Sequence, residues 1–112
     1  MKLTSAEMFT LRALLVDVGI VLTDSVLDQA NCLDREETGA GFLSTVELPA
    51  GVLGAAAPQS VSKTLRDVES GQLFLLDLFI RDPRKIDLEG ATLSEAWPKD
   101  FDGARLVELG KI

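Results

Sequence analysis

Residues 72–81 constrain the fold of this chain most, because their side chains alternate without interruption. The two faces carry Phe74, Leu76, Leu78 and Ile80 on one side, and Leu73, Leu75, Asp77 and Phe79 on the other. Apolar residues on both faces predict a central strand that is covered on both sides. A helix is the competing interpretation, but Gly71 before the run and Asp82-Pro83 after it favour a strand.

The next residues predict the second half of a hairpin. In the segment 81–84, Pro83 has the fixed φ that a type I turn requires, and Asp82 before it can cap the turn. The chain then alternates again, with Ile86 and Leu88 on one face and charged residues on the other. We therefore expect strands over 72–81 and 85–93 that pair antiparallel.

The N-terminal region predicts helical structure. Thr4 and Glu7 match a capping box, in which each side chain binds the other residue's backbone N–H. One helical stripe follows, made of Met8, Leu11, Leu15, Val18 and Leu22. We expect a helix over 5–16 that ends near Gly19, and the pattern can resume from a cap at Thr23 or Asp24. Whether residues 5–30 form one helix or two stays open.

The remaining segments complete an α+β fold, an N-terminal helical segment packed on a four- to five-stranded antiparallel sheet. Further strands are expected over 41–48 and 61–69, the latter with a helix as the alternative, and an edge element near 104–109. Gly39 and Gly41 indicate a bulge or bend at a strand entrance. The loop 49–60 is expected to pack partly on the core or to act as a mobile flap. Trp97 is expected to close one end of the core.

Residues 17–37 carry most of the excess negative charge of the protein. Arg35 is the only basic residue in this segment. The six acidic residues are Asp17, Asp24, Asp28, Asp34, Glu36 and Glu37. They form either a solvated face or a docking surface for a basic partner. On a continuous helix, residues 17, 24 and 28 would share one side, which favours docking. The segment lacks the ligand spacing of a calcium loop.

Composition narrows the classes of function. A length of 112 residues indicates one globular domain over 1–112, and the single Cys32 cannot form an internal disulfide. Neither a signal peptide nor an apolar membrane span is evident, so a cytoplasmic protein with no membrane association is expected. A net charge of −7 disfavours nucleic-acid binding and favours a basic protein as partner.

The chemistry available to the chain is limited. Histidine and tyrosine are absent, which removes the commonest acid–base group and zinc ligand, and we expect no enzyme, cofactor or metal. The alternative is a small-ligand or enzymatic pocket beneath the 49–60 loop, formed by Asp77, Arg84 and Glu89. Asp77 is expected on a covered face and therefore needs a partner, with Arg66 or Arg84 available.

Two short segments carry a resemblance to a known group of proteins. The residues are Arg35, Thr38, Gly39, Gly41 and Phe42, followed by Leu88-Glu89-Gly90 and Trp97-Pro98. They resemble small bacterial proteins with an R-x-x-T-G-x-G-F segment and a later L-E-G…W-P segment, although a D-G turn is usual where this chain has R-D-P-R-K. That group has no assigned activity. The resemblance implies a compact β-sheet domain of bacterial origin and transfers no site.

The sequence thus leaves three hypotheses. The first is a non-catalytic protein-binding module with an acidic docking face, similar in size and charge to toxin-neutralising immunity proteins. The second is the carboxylate and Arg pocket. The third is a structural homo-oligomer, in which another copy partly covers the two-sided apolar strand.

Overall fold

A computed structural model describes residues 1–54, 58–93 and 95–109. The helices are α1 (Ser5–Leu15) and α2 (Asp24–Gln29), with short 3₁₀ helices at Val16–Val18 and Gly103–Arg105. The strands are β1 (Asn31–Thr38), β2 (Gly41–Glu47), β3 (Gln59–Asp67), β4 (Leu73–Ile80), β5 (Lys85–Thr92) and β6 (Leu106–Glu108). The fold is α+β, as expected from the sequence.

All six strands form one antiparallel sheet in the order β1-β2-β5-β4-β3-β6. The sheet therefore has six strands and not the expected four to five, and the strand that was not expected is β1. Its sequence, NCLDREET, is polar on both faces, and an edge strand needs few apolar residues because only one neighbour pairs with it. The strand preference for 61–69 is confirmed by β3, and β4 is a central strand.

The core lies between α1 and one face of the sheet. Leu11, Leu14 and Leu15 of α1 are fully buried, as are Leu76 and Ile80 of β4. The opposite face of β4 is not covered, because Phe79 is 41% exposed and Asp77 is also exposed. The prediction that β4 is covered on both sides is wrong, since the helices pack on only one face of the sheet.

The N-terminal region contains two helices. The Thr4–Glu7 capping box forms at the start of α1. The chain turns at Gly19, whose φ of +82° lies in the left-handed region that glycine adopts without strain. It re-enters a helix behind Thr23, whose side chain accepts a hydrogen bond from the Val26 N–H.

Two of the hairpin turns follow from local chemistry. Asp82 accepts hydrogen bonds from the N–H groups of Arg84 and Lys85, each at 2.8 Å, which closes the predicted turn between β4 and β5. Between β1 and β2, residues 39 and 40 form a two-residue hairpin turn behind the Thr38–Gly41 pair. The expected bend at this position is therefore a hairpin turn.

The connections close both ends of the core. Leu53 is buried and Val52 packs against the core, as expected for part of the 49–60 loop, whose residues 55–57 lie outside the described part. Trp97 makes edge contacts with Phe42 and Phe74 and stacks on Phe101. Within the described residues, neither helix is long and apolar enough to cross a membrane.

Candidate functional site

The uncovered side of the sheet is the candidate site, and we call it the open face. Strand alternation and the pairing register define the residues that point to this side. On β1, β2, β5 and β4 these include Asp34, Glu36, Leu43, Thr45, Glu47, Asp77, Phe79, Asp87 and Glu89. Six of them are carboxylates, so the open face is acidic across four neighbouring strands.

One cross-strand row concentrates this charge. Glu36 pairs with Leu43, Leu43 with Glu89, and Glu89 with Asp77. Asp77 accepts a hydrogen bond from Ser62 on β3. Within the described residues, the side chain of Glu89 makes no hydrogen bond or ion pair. The centre of the sheet therefore presents two adjacent carboxylates with no cation between them.

The neighbouring row is partly neutralised at its end. Asp87 accepts a hydrogen bond from the Thr45 hydroxyl at 3.0 Å and forms an ion pair with Arg81 at 2.6 Å. Arg81 and Lys85 lie at the β4–β5 end of this face, and Arg66 of β3 lies at the opposite end, so the cations flank the central carboxylates. Leu43 is 46% exposed and Phe79 41% exposed beside the carboxylates. The open face can thus bind cationic groups and adjacent apolar groups together.

The six acidic residues of segment 17–37 do not form one surface. Asp34 and Glu36 lie on the open face. Asp17 pairs with Lys63 at 3.3 Å, and Asp24 pairs with Arg12 at 2.5 Å, both on the helical side. The remaining two are Asp28, exposed on α2, and Glu37, which points to the helix side of β1.

Asp17, Asp24 and Asp28 do not share one side of a helix, because Gly19 ends the first helical segment and the open question of one helix or two is decided for two. The continuous helix that would have aligned the three carboxylates therefore does not exist. The acidic surface that does form contains Asp34 and Glu36 from this set, together with carboxylates from β2, β4 and β5.

The pocket candidates are placed apart. Asp77 and Glu89 face each other on the open face. Arg84 lies in the hairpin turn, where its Nε donates to the Leu48 carbonyl at 3.4 Å. The expectation that Asp77 is covered is wrong, so it needs neither Arg66 nor Arg84 as a partner. A shallow depression of about 300 Å³ includes Asp77, Glu89 and Phe79, but Arg84 does not line it.

A buried ion pair on the other side of the sheet was not predicted. Glu7 is 1% exposed, and Arg35 binds it through Nη2 to Oε1 at 2.7 Å and Nε to Oε2 at 2.9 Å. The Ser44 hydroxyl and the Cys32 thiol also donate to Glu7, which accepts a further bond from the Thr4 N–H in the capping box. The only sequence signal was Arg35 as the single cation among the carboxylates of segment 17–37.

These contacts set the protonation of the groups around the ion pair. Burial would raise the pKa of Glu7, but the hydrogen bonds from Arg35, Ser44 and Thr4 outweigh it and hold the pKa below its usual value. The hydrogen bond to Glu7 raises the pKa of Arg35. Burial raises the pKa of the adjacent Cys32 thiol, so Cys32 is a buried neutral residue.

A cavity of about 730 Å³ opens between the first turn of α1, the β1–β2 hairpin and residues 96–101. Residues of the segments that carry the resemblance line it, namely Arg35, Thr38, Gly39, Gly41, Phe42, Trp97 and Pro98. Gly41 and Gly90 lie in close backbone contact, since a Cβ on Gly41 would lie 1.8 Å from the Gly90 oxygen. A Cβ on Gly90 would in turn meet the rings of Phe42 and Trp97. The absence of a side chain at Gly41 and Gly90 therefore allows β2, β5 and Trp97 to pack closely.

Metal binding has no support in the residues that the structure describes, where no group of three or more acidic or cysteine side chains could hold an ion. A scan against protein-family models, a search of curated proteins and a search of solved structures each returned no match. The open face and the cavity must therefore be interpreted from their own chemistry.

Proposed function

We propose that this protein is a non-catalytic protein-binding module, immunity-like in its chemistry, whose open face binds a basic protein. The single observation that carries the proposal is the uncompensated pair of Asp77 and Glu89 at the centre of the sheet. Like charges directly opposite each other destabilise a sheet. A cationic side chain of a partner placed between them removes that repulsion and gains two attractive contacts.

The surroundings of this pair support a protein as partner. Leu43 and Phe79 are large, exposed and adjacent to the carboxylates. Aromatic and aliphatic anchors surrounded by charge are typical of protein interfaces, in which apolar contacts supply affinity and charges supply association rate and specificity. A phosphate backbone is repelled by the same surface.

The experiment that tests this proposal compares two variants as bait. Asp77→Lys/Glu89→Lys reverses charge on the open face, and Asp24→Lys/Asp28→Lys makes the same change of charge on the helical side. Proteins retained from the native host by the wild type are quantified for each bait. The partner is then purified and its affinity is measured at about 50 and about 300 mM salt, across which exposed charges become screened.

The proposal expects a basic partner that binds the wild type and the helical-side variant but loses at least tenfold in affinity for the open-face variant. Its association rate should fall as salt rises. The proposal is overturned if the purified partner binds both variants equally, or if its affinity is indifferent to salt.

A further inference from the structure

The edge of the sheet next to the open face is strand β1, which has only β2 as a neighbour. An edge strand carries backbone N–H and C=O groups that no other strand pairs. The chain's own N-terminus covers one end of this edge, where the Cys32 N–H donates to the Met1 carbonyl at 2.8 Å and the Met1 amine donates to the Cys32 carbonyl at 3.1 Å. The rest of β1, residues 34–38, has no such cover within the described residues.

The register identifies which backbone groups point outward. Cys32, which sends its backbone groups to Met1, pairs with Val46, and a bulge follows it. Beyond the bulge, Arg35 pairs with Ser44 and Glu37 with Phe42. Ser44 and Phe42 lie two and four positions from Val46, so Arg35 and Glu37 repeat the orientation of Cys32. Their N–H and C=O groups are therefore directed away from the sheet.

The two sides of this free edge differ in chemistry. Toward the open face, Asp34 and Glu36 present carboxylates. Toward the helix side, the edge borders the cavity of about 730 Å³, where Glu37 and Thr38 form the rim and Trp97 forms an apolar wall. An added strand would place alternate side chains against these two environments, because strand side chains alternate between faces.

A second copy of β1 does not fit this edge. Antiparallel pairing of two such strands would bring Asp34, Glu36 and Glu37 of one copy against those of the other, and Arg35 cannot neutralise them because it is bound to Glu7. A basic segment meets complementary charge instead.

We propose that the partner contributes an extended segment that adds to β1 as a seventh strand, with Lys or Arg at alternate positions and an aromatic side chain between them that enters the cavity. Backbone hydrogen bonds to Arg35 and Glu37 supply affinity, and the two side-chain environments supply specificity, as in other strand-addition complexes. This inference rests on the proposed function for the basic chemistry of the partner.

The test uses synthetic peptides that match the uncovered part of β1 in length, with Lys at alternate positions and either Phe or Ser between them. Trp97 is the only tryptophan and lines the cavity, so its fluorescence reports occupancy. Each Phe peptide is also N-methylated at one position at a time, which removes one backbone donor. The inference expects binding with a Trp97 fluorescence shift, and at least a tenfold loss on N-methylation at alternate positions only.

A matched pair of variants tests the protein side. Glu37→Pro removes an outward N–H that makes no β1–β2 bond, a position at which edge strands tolerate proline, and Glu37→Gln removes the same charge but keeps the donor. Glu37→Pro should bind the Phe peptide at least tenfold more weakly than Glu37→Gln. If Glu37→Pro does not fold, the N-methyl series decides by itself.

The outcomes separate this inference from the proposed function. Strand addition is overturned by any of three results. These are equal tolerance of N-methylation at every position, equal affinity of the two Glu37 variants for the Phe peptide, and no binding of any peptide. If the purified partner still responds to charge reversal at Asp77 and Glu89 in those cases, the proposed function stands alone. If that response is absent too, both are overturned.

Discussion

Asp77 of β4 and Glu89 of β5 lie directly opposite each other on the open face. Cross-strand neighbours at this spacing normally combine apolar side chains or opposite charges, since like charges there destabilise the sheet. Ser62 satisfies one oxygen of Asp77, but it carries no positive charge. The arrangement costs stability in the free protein, which is the condition expected of a surface that is neutralised on binding.

Removing one of these two charges should therefore stabilise the free protein. Glu89→Gln is expected to raise the free energy of unfolding by about 0.2–1 kcal/mol, the range of a cross-strand pair. Urea denaturation at low salt measures it, and the gain should shrink in about 1 M salt, where the Debye length is about 3 Å. Asp28→Asn, an exposed acid on α2, is the control and should change little. A loss of stability in Glu89→Gln would contradict the repulsion.

The contact between Gly41 and Gly90 predicts a sharp difference between two nearby glycines. A Cβ on Gly41 would lie 1.8 Å from the backbone oxygen of Gly90, which cannot move without separating β2 from β5. Gly41→Ala should cost about 1–3 kcal/mol or more, as overpacking does. Gly39→Ala is the matched control, because its Cβ would meet nothing within 4 Å and Gly39 does not have a positive φ. Equal thermal unfolding of the two variants would contradict this account.

The elements that the sequence predicts well are those with local causes. Strand β4 has an unbroken period of two, the turn after it has Asp82 and Pro83 in fitting positions, and α1 begins with its own capping box. These signals act within a few residues and therefore depend little on contacts between distant segments. The strand β1 has no such signal, since its edge position allows polar residues on both faces.

The composition of the open face depends on information that spacing alone does not contain. The alternation of β4 predicted which residues share a face, but the assumption that apolar content means cover on both sides placed Asp77 wrongly. The register that brings Glu89 and Glu36 into the same cross-strand row as Asp77 depends on pairing between distant segments. In the same way, the capping box explained Glu7 locally and gave no sign of Arg35, which lies 28 residues away.

The buried pair of Glu7 and Arg35 should be strongly coupled. Removing one partner leaves the other charge buried without compensation, so Glu7→Gln and Arg35→Met are each expected to cost about 3–5 kcal/mol. The double variant should lose clearly less than the sum of the two, which a double-mutant cycle by urea denaturation measures. The exposed pair of Arg12 and Asp24 is the control, with an expected coupling of at most about 1 kcal/mol. Additive losses at Glu7 and Arg35 would contradict the coupling.

The same pair should contribute to the loss of stability in acid. Hydrogen bonds hold the pKa of Glu7 below its usual value in the folded protein despite burial, so the folded state binds fewer protons than the unfolded state. Its contribution is therefore complete above the unfolded pKa of about 4.3 and is lost as pH falls through the lower folded pKa. Urea denaturation at a series of pH values should show stability falling below about pH 4. Glu7→Gln should show a shallower fall, and an unchanged slope would contradict this assignment.

The charge of the open face also predicts the association state of the free protein. Two copies that met through this face would place twelve carboxylates, six from each copy, in one interface, and desolvation would increase the repulsion. The protein should therefore sediment as a monomer at micromolar concentration and about 50 mM salt, where charges repel over about a Debye length. Asp77→Asn/Glu89→Gln weakens the repulsion but leaves Leu43 and Phe79 exposed, so it should associate at lower concentration than the wild type. Asp28→Asn should sediment like the wild type. A stable wild-type dimer at low salt would contradict this prediction and would favour the structural homo-oligomer, in which another copy covers the second face of β4.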